Sequence, residues 1–229
     1  MSGVLYVVPT PLGGAAADAL PAPVLARVRS LRHFVVENAK SARAFLKEAG
    51  VDPKSIRIEE LGESSRIHDL LRPLSDGNPI GLLSEAGCPA VADPGAKLVE
   101  AAHATGIRVV PLVGPSSILL ALMASGLEGQ RFAFRGYLPR EAPARAQRIR
   151  ELEARSRRER ETQIFIETPY RNDVLLAALL EGLPGGTLLC VATDLTLASE
   201  VVRTRSVAAW RASRHAIGKH PTVFLMLSA

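Results

Sequence analysis

The chain has 229 residues, with 28 Lys and Arg against 23 Asp and Glu, a net charge of +5; 47% of residues are hydrophobic and 22% charged. That balance provides for a core and excludes a disordered chain, and the 18 Gly and 16 Pro show no collagen-like period. No apolar run reaches the ~18–20 residues of a spanning helix, and Cys88 and Cys190, far apart and outside any C-x-x-C pattern, indicate neither a disulfide framework nor a zinc site. The first residues lead straight into an apolar strand without a signal-peptide pattern, so the expected setting is cytoplasmic, with no membrane and no metal.

In chain order, Leu5-Tyr6-Val7-Val8, His33-Phe34-Val35-Val36, Ile80-Gly81-Leu82-Leu83 and Arg108-Val109-Val110-Pro111 read as buried strands. Between them, Val24, Leu25, Val28 and Leu31, then Ala44, Phe45 and Ala49, then Leu98, Val99 and Ala102 recur at helical spacing. Strand, crossover helix and strand is the grammar of a parallel sheet. The second half offers strands at Phe132-Ala133-Phe134, Gln163-Ile164-Phe165-Ile166, Leu188-Leu189-Cys190-Val191, Val201-Val202 and Val223-Phe224-Leu225-Met226, with a helix between Asn172 and Leu183. The strands after Thr187 follow one another closely enough for antiparallel pairing. The best boundary is Val113-Gly114-Pro115, which predicts an N-terminal α/β domain with a parallel sheet over 1–112 and a C-terminal α/β domain with a mixed sheet over 113–229.

Several chemistries are excluded. The chain contains no G-x-G-x-x-G after a strand, no G-x-x-x-x-G-K-[ST], no G-x-S-x-G and no H-E-x-x-H. Its five histidines, His33, His68, His103, His215 and His220, never fall at metal-ligand spacing and read as ordinary residues. Three small-residue loops do stand out at strand ends: Pro9-Thr10-Pro11-Leu12-Gly13-Gly14, the run from Ser84-Glu85-Ala86-Gly87-Cys88-Pro89 to Asp93-Pro94-Gly95, and Leu112-Val113-Gly114-Pro115-Ser116-Ser117. All three would gather at the carboxyl edge of a parallel sheet, where open α/β folds bind ligands, and their small residues let backbone groups come close to one.

These segments, with Phe132 through Gly136-Tyr137-Leu138-Pro139, Ile164-Phe165-Ile166-Glu167-Thr168-Pro169-Tyr170-Arg171 and Asp194-Leu195-Thr196, resemble the tetrapyrrole methylase family, in particular its bacterial 16S ribosomal RNA cytidine 2′-O-methyltransferase branch. The resemblance implies two α/β domains with a ligand cleft between them, S-adenosylmethionine as methyl donor, and a homodimer. It further implies that Pro11, Leu12, Gly13, Ala86, Gly87, Cys88, Val91, Ser116 and Ser117 hold the donor, with Glu167, Leu195, Pro221 and Thr222 around the adenine. Three places depart from the branch. Glu37-Asn38-Ala39-Lys40-Ser41-Ala42-Arg43 stands for its Glu-Asp-Thr-Arg, Lys219-His220-Pro221-Thr222 for its Lys-Gly-Glu lead, and the sequence stops at Ala229, which reads as a short form without the C-terminal helical region.

A ribose hydroxyl is a poor nucleophile at neutral pH, so O-methylation benefits from a base; Glu37 and Glu85 are the catalytic candidates, with Asp93 third. Residues 131–160 hold ten Arg against four Glu, a local net of +6 that accounts for the whole basic excess. One reading is a docking segment for ribosomal RNA, with Lys40, Arg43, Arg145 and Arg148 as substrate contacts. The other is a solvated helix face whose arginines pair with Glu141, Glu151, Glu153 and Glu159. The acceptor also stays open between RNA and a tetrapyrrole methylated on carbon, and a donor- or RNA-binding relative without catalysis is a third option.

Overall fold

The computed structural model describes residues 3–62, 66–213 and 216–228; His215 and Ala229 lie outside the described residues. The chain divides into two compact units, Met1–Ser116 and Ser117–Ala229.

Unit 1 is built on five strands, β1 (Val4–Val8), β2 (His33–Val36), β3 (Arg57–Glu60), β4 (Ile80–Leu83) and β5 (Arg108–Pro111), in the order β3-β2-β4-β1-β5. Every pairing is parallel. The connections carry helices α1 (Ala16–Ala19), α2 (Ala22–Ser30), α3 (Ala39–Glu48), α4 (Ile67–Ser75) and α5 (Ala96–Ala104). Alternation along the strands sorts these helices to two faces. Val8, Phe34, Val36 and Leu83 pack with residues of α1, α2 and α3, whereas Leu5, Val35, Ile80 and Leu82 pack with α4 and α5. Both faces are therefore covered, which explains why β4 reads as an unbroken apolar run. Gly81 has a packing reason: a Cβ there would meet the Phe34 ring at 2.8 Å, so the missing side chain lets that ring lie against the strand.

Unit 2 holds β6 (Phe132–Tyr137), β7 (Thr162–Glu167), β8 (Leu188–Thr193), β9 (Val201–Ser206) and β10 (Thr222–Leu227) in the order β6-β7-β10-β8-β9. Only β6 and β7 run parallel, and the long helix α7 crosses between them; β10 is antiparallel to both β7 and β8, and β8 to β9. The helices here are α6 (Ser117–Ser125), α7 (Ala142–Glu159), α8 (Asn172–Gly182) and α9 (Val207–Arg211). Ile149 and Leu152 of α7, Leu175, Leu176 and Leu179 of α8, and Trp210 of α9 pack on one face of the sheet around Phe165 and Phe224. Those two rings sit on register partners of β7 and β10 and stack with centroids 6.0 Å apart. The architecture is mixed α/β with one parallel and one mixed sheet. None of the described helices is long and apolar enough to cross a membrane, and no group of acidic, His and Cys side chains suited to a metal ion occurs among the described residues.

Candidate functional site

The neighbours β1 and β4 define the site in unit 1. The chain leaving β1 crosses to the face of α1 and α2, and the chain leaving β4 crosses to the opposite face, that of α5. Such a divergence opens a crevice outside the carboxyl ends of the two strands, the usual ligand position in an open α/β sheet.

Backbone geometry shapes that crevice. Thr10 N–H donates to Gly87 O at 2.9 Å and Gly87 N–H returns a bond to Thr10 O at 3.0 Å, tying the loop after β1 to the loop after β4. The Thr10 hydroxyl adds a bond to Ser84 O at 3.4 Å. Gly87 has φ +76°, and a Cβ on it would stand 3.2 Å from Leu12 Cδ2 and 3.7 Å from Pro115 O. The Cys88 thiol donates to Pro115 O at 3.4 Å. The loops after β1, β4 and β5 thus meet around Gly87. Ala90 and Ala92 both take φ 66°, a left-handed conformation that costs an alanine of order 1–3 kcal/mol. Two such residues in one loop show that the surrounding structure holds this segment in a fixed shape. Pro11, Leu12, Gly13, Cys88 and Ser116 are half-buried there, whereas Ala86 and Val91 are exposed.

The carboxylates converge beside this loop. Glu37 N–H extends the β2/β4 ladder by donating to Leu83 O at 3.1 Å. Its Oε2 accepts from Glu85 N–H at 3.1 Å, while Glu85 Oε1 accepts from the Ser41 hydroxyl at 3.3 Å. Burial, then the charge of Glu37 and, less strongly, that of Glu85 push the Asp93 carboxyl up to about 6, against a smaller opposing effect of the Ser84 hydroxyl. Asp93 is therefore ionised at neutral pH and more basic than an ordinary aspartate. Burial, aided by the Asp93 charge, pushes the Cys88 thiol up, which keeps it neutral at pH 7 and makes it lining, not a nucleophile. Lys40 on the first turn of α3 and Arg43 on the second are exposed, and the helix's amino end is capped by the Asn38 side chain accepting from Lys40 and Ser41 N–H.

Unit 2 gathers a second set at one edge of its own sheet. Thr222 opens β10 and pairs in register with Glu167 at the end of β7 and Thr193 at the end of β8. Pro221 O accepts from Asp194 N–H at 3.0 Å, and Leu195 follows, buried. Glu167 Oε1 accepts from Thr168 N–H at 2.8 Å, and its other oxygen stands 3.3 Å from Arg171 Nε. Sequence reasoning missed what organises this edge: Asn172, fully buried, whose Nδ2 donates to Gly218 O, His220 O and the Thr222 hydroxyl. Asp194, at φ 51°, accepts from the Ser199 hydroxyl and contacts His220 Nδ1, each at 2.8 Å. The only signal for Asn172 in the sequence is its place directly after Thr168-Pro169-Tyr170-Arg171.

The arginine segment needs correction. The sequence points to Arg145 as an RNA contact, but it is 7% exposed and its guanidinium turns back to donate to Arg140 O at 2.6 Å and Pro139 O at 3.4 Å. It closes the β6–α7 corner, because a guanidinium satisfies carbonyls that the turn leaves without N–H partners. Arg148 lies on the surface, paired with Glu151 at 3.1 Å. Arg155 pairs with Glu159 and Glu161, Arg157 with Glu153, Arg158 with Glu159, and Arg135 with Glu161. Among the described residues the side chains of Arg131, Arg140, Arg150 and Arg160 also have no ion-pair partner, Arg131 donating to Glu159 O instead. Since α7 crosses from the carboxyl end of β6 to the amino end of β7, its eighteen residues carry the later arginines roughly 27 Å along the helix axis. There Arg157 and Arg160 line a depression of about 490 Å³ with Glu128 and Ser228.

A parallel sheet with a backbone-lined crevice at its switch point, followed by a mixed α/β unit, defines an open-sheet ligand-binding protein. Comparison narrows the class. The family model of Tetrapyrrole (Corrin/Porphyrin) Methylases matches residues 4–209. Ribosomal RNA small subunit methyltransferase I of Vibrio cholerae is 32% identical over 90% of this chain and 69% of its own length; that of Mesorhizobium japonicum is 35% identical over 90% and 68%. Among solved structures, the methyltransferase CobJ superposes with a TM-score of 0.67 at 19% identity, covering 100% of this chain and 95% of its own. Uroporphyrin-III-C-methyltransferase of Thermus thermophilus gives 0.59 at 20%, covering 100% and 93%. The chain belongs to the tetrapyrrole methylase family and is a methyltransferase.

The family implies S-adenosylmethionine as donor, and the crevice suits it. Gly87 leaves open a space that a Cβ would occupy, and the lining around it is small, uncharged and rich in backbone groups.

Proposed function

We propose that this chain transfers the methyl group of S-adenosylmethionine to a ribose 2′-hydroxyl of ribosomal RNA. The observation that supports an oxygen acceptor is the grouping of Asp93, Glu37 and Glu85 beside the Gly87 loop, because a hydroxyl must lose a proton as it is methylated and a carbon acceptor has less need of a base. In this reading Pro11, Leu12, Gly13, Ala86, Gly87, Cys88, Val91, Ser116 and Ser117 hold the donor largely through backbone groups, and Glu167, Leu195, Pro221 and Thr222 serve the adenine. The bound donor supplies an activated methyl electrophile.

The protein's own task is then to position the acceptor and receive its proton. Glu37 and Glu85 are partly occupied, one by a backbone N–H and the other by a hydroxyl, and their charges raise the basicity of Asp93. Asp93 is accordingly the carboxylate best suited to take the proton, with Glu37 and Glu85 as the alternatives. Lys40 and Arg43, exposed on α3, supply charge for RNA phosphates. The names of the relatives from Vibrio cholerae and Mesorhizobium japonicum support ribosomal RNA as the acceptor. A cytoplasmic homodimer goes with this reading, and sedimentation of the purified protein tests the dimer.

The deciding experiment is mass spectrometry of ribosomal RNA nucleosides from cells with and without the protein, paired with labelled donor offered to undermodified small subunits and to a precursor tetrapyrrole. A 2′-O-methylated nucleoside lost with the protein and labelling of the subunit are the expected results. Labelling of the tetrapyrrole alone would replace this function with C-methylation, and donor binding without turnover on either would leave a non-catalytic relative.

A further inference from the structure

Thr168-Pro169-Tyr170-Arg171 enters the proposed chemistry only through the neighbouring Glu167. Tyr170 projects from a short 3-10 turn, Pro169–Arg171, with 77% of its surface exposed. The Lys219 ammonium lies over its ring, 4.9 Å from the centroid. A single exposed tyrosine needs no explanation. What sets this one apart is the number of bonds that fasten the two loops carrying it and Lys219.

Two loops are fastened together beneath the pair. Arg171 N–H donates to Thr168 O at 2.8 Å, closing the turn. Asn172 bonds to Gly218 O and His220 O, on either side of Lys219, and the Asp173 carboxylate accepts from Ile217 N–H at 2.7 Å and Gly218 N–H at 3.2 Å. The nearby charges are already engaged: Arg171 with Glu167, Asp194 with the Ser199 hydroxyl and the His220 ring, and Asp173 with the backbone. Lys219 forms no ion pair among the described residues. An aromatic ring on a fastened backbone, next to a cation without an ion-pair partner, loses less entropy than a loose loop would on binding a flat, anionic polymer. The pair also stands three residues from Glu167 on one strand and three from Thr222 on the next, at the sheet edge assigned to the adenine.

We propose that Tyr170 and Lys219 form a stacking platform for an unpaired base of the RNA acceptor, the ring taking the base and the ammonium the adjoining phosphate. The proposal rests on the RNA reading of the function. The contact shown for the ring is a cation, Lys219, and Arg171 follows it in the chain, a setting that suits an anionic polymer better than an apolar protein surface.

The test uses the full chain and a single-stranded oligouridine bearing 5-iodouridine. Photocrosslinking is expected at Tyr170. Tyr170→Ala is expected to weaken oligonucleotide binding roughly 5- to 100-fold, with donor binding by calorimetry unchanged, and Tyr170→Phe to bind like the parent. Lys219→Met is expected to reduce the salt dependence by about one phosphate contact, a slope change of ~0.7. If the parent binds RNA and Tyr170→Ala binds it equally well, the platform is wrong and the RNA reading stands. If Tyr170→Ala alters sedimentation and leaves RNA binding intact, the surface is a protein interface and the proposal fails. If the parent neither binds nor methylates RNA, the functional reading falls and the platform with it.

Discussion

The carboxyl edge of the parallel sheet and the arginine helix α7 both stand out in the sequence, and the structure treats them in opposite ways. At the sheet edge, residues with little side chain converge: Thr10 and Gly87 exchange backbone bonds, and Glu37, Glu85 and Asp93 face one another. Along α7, residues with the most side chain spread apart into local pairs: Glu151, Glu153 and Glu159 each take an arginine, and Arg145 is folded into a corner. The formal +6 over residues 131–160 already counts those glutamates; the structure changes its distribution, turning Arg145 inward and bringing Arg135 and Arg155 to Glu161 just beyond the segment, whereas the sheet edge brings three carboxylates together. Like charges held close together by fixed backbone shift one another's protonation; ion pairs on a solvated helix contribute little.

The largest effect should come from Asp93. Asp93→Asn is expected to lower kcat about 10²–10⁴-fold with donor affinity unchanged, and to remove an acidic limb near pH 6 from the rate profile. A greater loss in Glu37→Gln or Glu85→Gln would move the base to that residue. The same substitution has an opposite effect on stability. Because the folded-state value is raised from 3.8 to about 6, the folded state binds the proton more tightly, and ionised Asp93 costs stability as pH rises through that window. Asp93→Asn should therefore melt about 2–4 °C higher at pH 8, the shift given by ~1 kcal/mol in a chain of this size, and the gain should fade towards pH ~4.

Next in size is Gly87→Ala, which places a Cβ at φ +76° close to Leu12. Donor binding by calorimetry is expected to fall about 10–100-fold, the equivalent of 1–3 kcal/mol of backbone strain; unchanged affinity would remove Gly87 from the crevice. Arg145→Met should lower stability by about 1–3 kcal/mol in urea unfolding, since it leaves the Arg140 and Pro139 carbonyls without their donor, and leave the salt slope of RNA binding intact. A lowered slope would return Arg145 to the substrate contacts. The smallest effect is expected for Arg148→Ala, within ~0.5 kcal/mol by the same assay, as befits an exposed pair.

Much of the fold is legible because buried parallel strands are written in apolar runs: β2, β4 and β5 coincide with His33-Phe34-Val35-Val36, Ile80-Gly81-Leu82-Leu83 and Arg108-Val109-Val110-Pro111. The edge strand β3 escapes notice because Arg57-Ile58-Glu59-Glu60 has a neighbour on one side only and one apolar residue. Helix α4 is hidden by Pro73 in its interior, where a proline ordinarily argues against helix. The site loops show themselves through Gly and Pro at strand ends, and each carboxylate can be picked out singly. Their mutual influence cannot, since it depends on β2 lying beside β4. The left-handed Ala90 and Ala92 leave no mark at all, because alanine is a poor choice for that conformation. Charge counting fails at Arg145 for a related reason: composition records a cation without recording which way the corner turns it.

The reciprocal bonds between Thr10 and Gly87 also bear on how the crevice comes into being. They close only after β1 and β4 have paired in register, and Thr10 lies 74 residues before Ser84, which its hydroxyl also touches. Contacts of such long range form late, because the loop between them must first be ordered. A growing polypeptide that has not yet delivered β4 has half a crevice. On the proposed donor site, methyl-donor affinity is a readout of completed assembly, and binding assayed at successive times of refolding should appear no earlier than the last cooperative phase of unit 1.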